Sequence, residues 1–381
     1  LKRAKIVRTM RNILDEAGRT EMYTIARDEC KSIIESGKNS LYSTFDANFR
    51  ALCQETYDAG KESIYEIPFD KTRGRVLYTW GNKHSDTDQY TQLAKGGVNG
   101  PTPTLWYDYD KDDTRRNFTC LPYTWKQGAK TISNSSGGGW QFGKLRFEWM
   151  SRVVTSTNDD GVNFQVMRYA DILLMAAEAE NQLNGPTADA QQWLKQVVDR
   201  AYQTATDKAD AIIAKAATSK ENFQLVIEDE RKFEFAGEVL RKVDLMRWGK
   251  LSEKLAETKA KMYALAHRTV TADGQWDYSQ YANKVYYAEG LGVSGDDADG
   301  YIVYGLEKGF TDDEGKATKE AGLTTNSSNM FVLTGDSEND NKVNAFIERL
   351  YLNDPNEHMF WPIWKYFIDS SNGTLVNDYG Y

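Results

Sequence analysis

Apolar positions recur at three- and four-residue spacing in several separate runs, and each run predicts a helix. Ile6, Met10, Ile13 and Leu14 make the first. After a break at Gly18-Arg19-Thr20, the positions Met22, Ile25, Ala26, Cys30, Ile33 and Ile34 make a second, which Ser36-Gly37-Lys38 closes. Helical spacing returns over 164–203. There Ile172, Met175, Ala176, Ala179 and Leu183 form one stripe, Asn184-Gly185-Pro186 stops it, and Thr187 stands where an N-cap is needed. Ala190, Trp193, Leu194, Val197, Val198 and Ala201 then repeat the core spacing. Between these helical regions the period changes. Two short helical patches near 45–59 give way to the alternating, strand-like Ser63–Phe69, and a long irregular stretch follows. Residues 133–139 read as a flexible turn, and Phe142, Leu145 and Phe147 alternate as a strand would.

The helix predicted over 222–251 breaks the rule for a surface helix. Phe223, Val226 and Ile227 share a face with Glu230, Arg231 and Glu234, so an apolar stripe runs directly into charge. If that face stays in the core, the three ions must be paired, because an unpaired buried ion costs several kcal/mol. Arg241, Lys242, Asp244 and Arg247 follow as candidate partners, and Glu178 is an obvious partner for Arg231 or Arg241. Gly249 is placed for a left-handed C-cap, after which helical spacing continues to about Ala266. The expected fold class is therefore mainly α: a scaffold of helical hairpins carrying long irregular loops and a few short strands. A hairpin of about 34 residues has the size of a tetratricopeptide unit.

Composition narrows the function. Among 381 residues there are 10 Trp and 22 Tyr, many outside helical stripes, and the net charge is −9. An acidic chain offers no basic field for nucleic acid. No apolar run reaches the length of a membrane span. Cys30, Cys53 and Cys120 are odd in number and lack metal-ligand spacing, so they read as buried thiols. The acidic clusters at 295–300 and 312–315 read as solvated turns, since the first fails the ligand spacing of a calcium loop. Three His, at 84, 267 and 358, join no catalytic motif, and nothing calls for a cofactor or a metal. A glycosidase would need two carboxylates, for instance from Glu230, Glu234 and Glu238, yet the surrounding Arg and Lys disfavour a general acid. Aromatic faces on a polar, acidic chain suit sugar binding, because Trp and Tyr stack on the apolar faces of pyranose rings.

Three stretches carry a resemblance. The run Asp229-Glu230-Arg231-Lys232-Phe233-Glu234-Phe235-Ala236-Gly237-Glu238, followed by Arg241, Asp244-Leu245 and Arg247-Trp248-Gly249, resembles the signature of the SusD/RagB family of Bacteroidetes surface lipoproteins. Arg168-Tyr169-Ala170-Asp171-Ile172-Leu173-Leu174 with Ala177-Glu178-Ala179 resembles its second signature, and Met359-Phe360-Trp361-Pro362-Ile363 with the ending Tyr379-Gly380-Tyr381 its third. Trp106–Arg116 is similar to the family's Asp-x-Arg-Arg element, with Asp112 or Asp113 and Arg115 or Arg116 as a structural ion pair.

The resemblance implies a tetratricopeptide-like helical scaffold and a non-catalytic protein. It would capture oligosaccharide at the outer-membrane cell surface and deliver it to a SusC-like TonB-dependent transporter. The expected layout is one domain over 1–381 lacking its N-terminal part, and with it the lipid anchor that would be its sole tie to the membrane. Within it lie a helical hairpin (1–41), a loop-rich, aromatic-rich ligand side (42–163), a helical scaffold (164–266) and a loop-rich C-terminal region (267–381). Family ligand residues vary, so site candidates come from chemistry: the loop aromatics and polar neighbours Trp80, Asn82, His84, Tyr90 and Trp140. A peptide- or protein-binding scaffold is the alternative, with a glycoside hydrolase behind it.

Overall fold

The computed structural model describes residues 15–56, 60–132, 139–287, 303–321, 323 and 327–377. The first predicted helix (6–14), the turn at 133–138, the acidic cluster at 295–300 and the terminal Tyr379-Gly380-Tyr381 lie outside them.

The helices are built where apolar spacing and caps agree. Glu16–Glu35 packs along Tyr169–Asn184, which packs on Ala188–Ala201, and Thr206–Ala216 and Lys220–Glu234 complete the array. Thr187 caps the second hairpin arm by accepting from the Ala190 amide, and Gly185 turns the chain with φ +80°. Ala170, Ala176, Ala177 and Ala190 are buried at the contact, with Leu173, Leu194, Val198, Phe223 and Ile227 filling the same core. The fold is thus mainly α, a tetratricopeptide-like array with short strands at its side.

Several local expectations are corrected. The break placed at Gly18-Arg19-Thr20 falls inside the first turn of Glu16–Glu35, because Asp15 caps that helix by accepting from the Gly18 amide at 2.7 Å. Helix does not start at 164: Phe164–Arg168 is a strand, held antiparallel to Ser63–Ile67, and Tyr169 opens the helix. The strand expected through Phe147 stops at Phe142. Gly143 lies so close to the Phe118 carbonyl that a Cβ there would fall 2.3 Å from it, and Phe147–Trp149 forms a 3₁₀ turn instead. Residues 267–345 also hold more than loops, namely a three-stranded sheet and the helices Glu314–Ala321 and Ser337–Glu348. The acidic cluster at 312–315 belongs to these: Asp312 accepts from the Lys284 amide and Asp313 from the Lys316 amide.

The charged face of Lys220–Glu234 is buried, and its ions are paired from across the fold. Glu234, fully buried, accepts from Arg168 (2.5 Å), Arg200 (2.5 Å) and Arg115 (2.9 Å). Burial opposes its charge, but the fields of Arg200, Arg168 and Arg115 bring its pKa down to about 2. Glu62 joins Arg168 to Arg200, Glu238 joins Arg168 to Lys144, and Glu230 pairs with Arg115 at 2.5 Å. A second cluster links Arg231 to Asp171 and Asp244, and Arg247 to Asp244. Here the expected partner changes: Glu178 binds Arg247 and the Trp248 indole, not Arg231 or Arg241. Arg241 instead donates to the Glu228 carbonyl. Gly249 ends the helix at φ +70° as expected, and Leu251–His267 follows. The expected turn pair is Asp113 with Arg115 at 2.8 Å. Because Arg115 also reaches Glu230 and Glu234, this pair fastens the segment 103–119 to the scaffold.

Candidate ligand-binding groove

The five residues singled out from the sequence separate into buried and accessible ones. Asn82 and His84 are both 0% exposed. Asn82 donates to both Glu148 oxygens, at 3.0 and 2.9 Å; His84 meets Asp88 at 2.6 Å and Glu148 at 3.4 Å and stacks on Trp125. Burial works against the imidazolium, yet hydrogen bonds to Asp88 and Glu148 outweigh it and hold the His84 pKa above its ordinary value. Burial likewise opposes the Glu148 carboxylate, which His84 nevertheless brings down to about 2. These two side chains lock the loop and leave no face for a ligand, so their assignment to a sugar site is corrected. Trp140, 5% exposed, is stacked behind Trp106 at 5.5 Å and is corrected for the same reason. Tyr90 packs edge-on to Trp125 and keeps some exposure, as does Trp80 against Phe142 at 6.4 Å. A narrow apolar cleft lined by Phe49, Val76 and Phe164 runs beside Trp80.

The more open concavity lies on the other side of Trp106. Three segments bring it together: Pro103–Asp108 with the residues after it, the turn at Tyr281, and the turn at Glu307-Lys308. Tyr107 and Tyr281 supply partly exposed rings in front of the buried Trp106 and Tyr109, and Asp110, Lys111, Arg116, Glu307 and Lys308 supply charge, around about 1070 Å³ of open volume. Tyr107 stands edge-on to Trp106 at 5.0 Å, nearly perpendicular at 85°, and to Tyr281 at 4.6 Å with the rings inclined at 67°. Arg116 lies over the Trp106 ring at 4.3 Å and donates to Glu307 at 2.7 Å. The Arg116–Glu307 pair also borders a second hollow of about 550 Å³, with Asn117, Val303 and Phe310. Tyr107, Tyr281 and Phe310 are each partly exposed. Aromatic walls around fixed donors and acceptors form the kind of concave, mixed surface that small polar ligands take.

The family pattern described as "SusD family" matches residues 40–381. The chain belongs to the SusD family. A curated relative, "SusD-like protein P25" of Formosa agariphila, is 36% identical over 125 residues, which cover 31% of this chain and 23% of that protein. Among solved structures, a SusD homologue from Bacteroides thetaiotaomicron superimposes with a TM-score of 0.54 at 22% identity, covering 68% of this chain and 54% of its own. Surface glycan-binding protein A of the same organism, in complex with laminarihexaose, gives 0.46 at 22% identity, covering 66% and 54%. At 22% identity the likeness to the first of these structures is one of fold. The matches span about half the length of the solved SusD structures and about a quarter of the curated relative. The first two sequence signatures supply residues of the buried ion clusters, and the groove lies outside all three. The sequence reading missed Tyr107, Tyr281, Glu307 and Lys308. For Tyr107 alone there was an available signal, the run Trp106-Tyr107-Asp108-Tyr109-Asp110-Lys111, which alternates rings with charge.

Proposed function

We propose that this SusD-family chain binds oligosaccharide in the Trp106–Tyr281 groove, at the cell surface, and passes it to a TonB-dependent transporter. The observation that carries the reading is the groove itself: partly exposed Tyr107 and Tyr281 rings beside Arg116, Glu307 and Asp110. Pyranose rings pair an apolar C–H face with a rim of hydroxyls, and this surface offers partners for both. Binding rather than turnover is supported by the state of the acidic residues. Glu230 and Glu234 are buried beneath guanidinium groups, and Glu238 is held by Arg168 and Lys144, so none meets a substrate as a free acid. No helix among the described residues is long and apolar enough to cross a membrane, which accords with attachment through a lipid.

The test is a panel of soluble plant, host and microbial glycans, screened by affinity gel shift and followed by calorimetry with product analysis. Removing roughly 60 Å² of ring face from water is worth about 1.5 kcal/mol, so Tyr281→Ala should raise Kd by about tenfold. Trp80→Ala in the same assay decides whether the ring beside Phe142 is a second stacking position. A panel without a single hit, or a hit that Tyr107→Ala and Tyr281→Ala both leave unchanged, removes the groove from consideration.

A further inference from the structure

We propose that the groove selects acidic oligosaccharides, chains bearing carboxylate or sulfate groups, through Arg116, Lys111 and Lys308. This rests on the groove being the glycan site and adds the class of glycan. The chain carries a net charge of −9, yet three of the groove's lining residues are cations and its two carboxylates are already engaged. Asp110 pairs with Lys208, outside the groove, at 2.5 Å, one cation that it shares with Asp112. Lys111 has Asp112 at 3.9 Å, a carboxylate that Lys208 holds more closely at 2.7 Å. Lys308 sits 5.5 Å above the Tyr281 ring.

Arg116 gives the geometric argument. It is 7% exposed; its Nη2 donates to Glu307, while the neighbouring Nε is buried without a hydrogen-bond partner, so a ligand can reach this edge only when Glu307 moves aside. Nε and Nη2 together form the side-on edge of a guanidinium, which takes a carboxylate or sulfate with two parallel bonds. Glu307 uses half of that edge, and its side chain is 45% exposed, so it can turn into water and yield the edge to an acidic ligand. A sugar ring lying against Tyr107 and Tyr281 would then place its acid group on Arg116, with Lys111 and Lys308 on the rim. A neutral sugar gains nothing from this exchange, because it would have to replace a charged partner of Arg116 with a hydroxyl.

The experiment is calorimetry on the full chain with three probes: oligogalacturonate for carboxylate, a carrageenan oligosaccharide for sulfate ester, and neutral laminarihexaose. At about 50 mM salt one acidic probe should bind at least about tenfold tighter than the neutral one. The gap should shrink at about 500 mM, where the screening length is only a few Å. Whichever acidic arm binds identifies the acid group. Lys308→Glu, on the surface and remote from the core, should weaken the acidic probe about threefold or more, and by a clearly larger factor than it changes neutral binding. Arg116→Lys keeps the charge and loses the side-on fork, and should weaken the acidic probe further. Equal binding of neutral and acidic probes, or a Lys308→Glu variant with unaltered acidic affinity, overturns the selectivity and leaves the glycan reading standing. Failure of every probe and of the wider glycan panel overturns both.

Discussion

Glu234→Gln tests whether the buried ion cluster holds the fold together. The carboxylate is fully buried and accepts from three guanidinium groups, so the substitution keeps its shape but turns an NH₂ donor toward Arg115, Arg168 or Arg200. Its pKa falls from the ordinary 4.5 to about 2, and a tenfold change in proton affinity is worth about 1.4 kcal/mol, which gives about 3 kcal/mol of stabilisation by ionisation. Breaking one partner of a buried pair costs about 3 to 5 kcal/mol elsewhere, in the same range. Since the folded-state pKa is depressed, the stabilisation is present above the unfolded pKa and is lost as pH falls through the folded one. Urea unfolding followed by circular dichroism should place the variant about 3 kcal/mol below the parent from pH 5 to 8. That gap should narrow from about pH 4 down to about 2. A gap under about 1 kcal/mol at neutral pH, or one that persists unchanged in acid, would refute the account.

Gly96→Ala should unfold or severely destabilise the protein, because φ is +74° and a Cβ would fall 2.0 Å from the Asn82 carbonyl oxygen; Gly249→Ala, with open space around it, should cost only about 1 kcal/mol. Thermal melts of the two variants make the comparison, and equal shifts would contradict it. His84 has a raised pKa, so its contribution is fully present below about 6.5 and disappears as pH rises through the folded value. Stability should therefore fall more steeply above neutral pH in the parent than in His84→Gln, and parallel slopes would show that the Asp88–His84–Glu148 contact carries no net charge linkage. Cys53 and Cys120 are fully buried, and burial pushes both thiols up, Cys53 to about 12. Neither should react with a thiol reagent until denaturant is added; rapid labelling of the native protein would place them at the surface.

Features that depend on near neighbours were legible in the sequence. Thr187 and Gly249 are recognised because a cap is a relation between residues three or four positions apart. Burial of the Glu230–Arg231–Glu234 face was legible too, since an apolar stripe meeting charge has few alternatives. The identity of the partners was not. Arg231 and Arg247 are both within reach of the same helices, and the geometry that gives Glu178 to Arg247 depends on where the chain turns at Gly237. Asn82 and His84 misled for a related reason. Polar loop residues read as exposed, but Glu148, far along the chain, satisfies both and lets them be buried. The groove drew on three separated segments, so Tyr281 and Glu307 gave no sign of standing beside Tyr107.

The ion cluster also dictates an order of events during folding. Arg115 and Glu230 are separated by 115 residues, and Glu62 and Arg200 by 138. Closing a loop of that length costs about 4 kcal/mol before any contact repays it. Until synthesis has delivered Glu234, the guanidinium groups of Arg115, Arg168 and Arg200 lack the one acceptor that all three share, although Glu62 already joins Arg168 to Arg200. Fragments ending short of that residue should therefore be more open and prone to proteolysis, while a chain that includes it can lock the stretch from Glu62 to Glu234 in one slow, cooperative step.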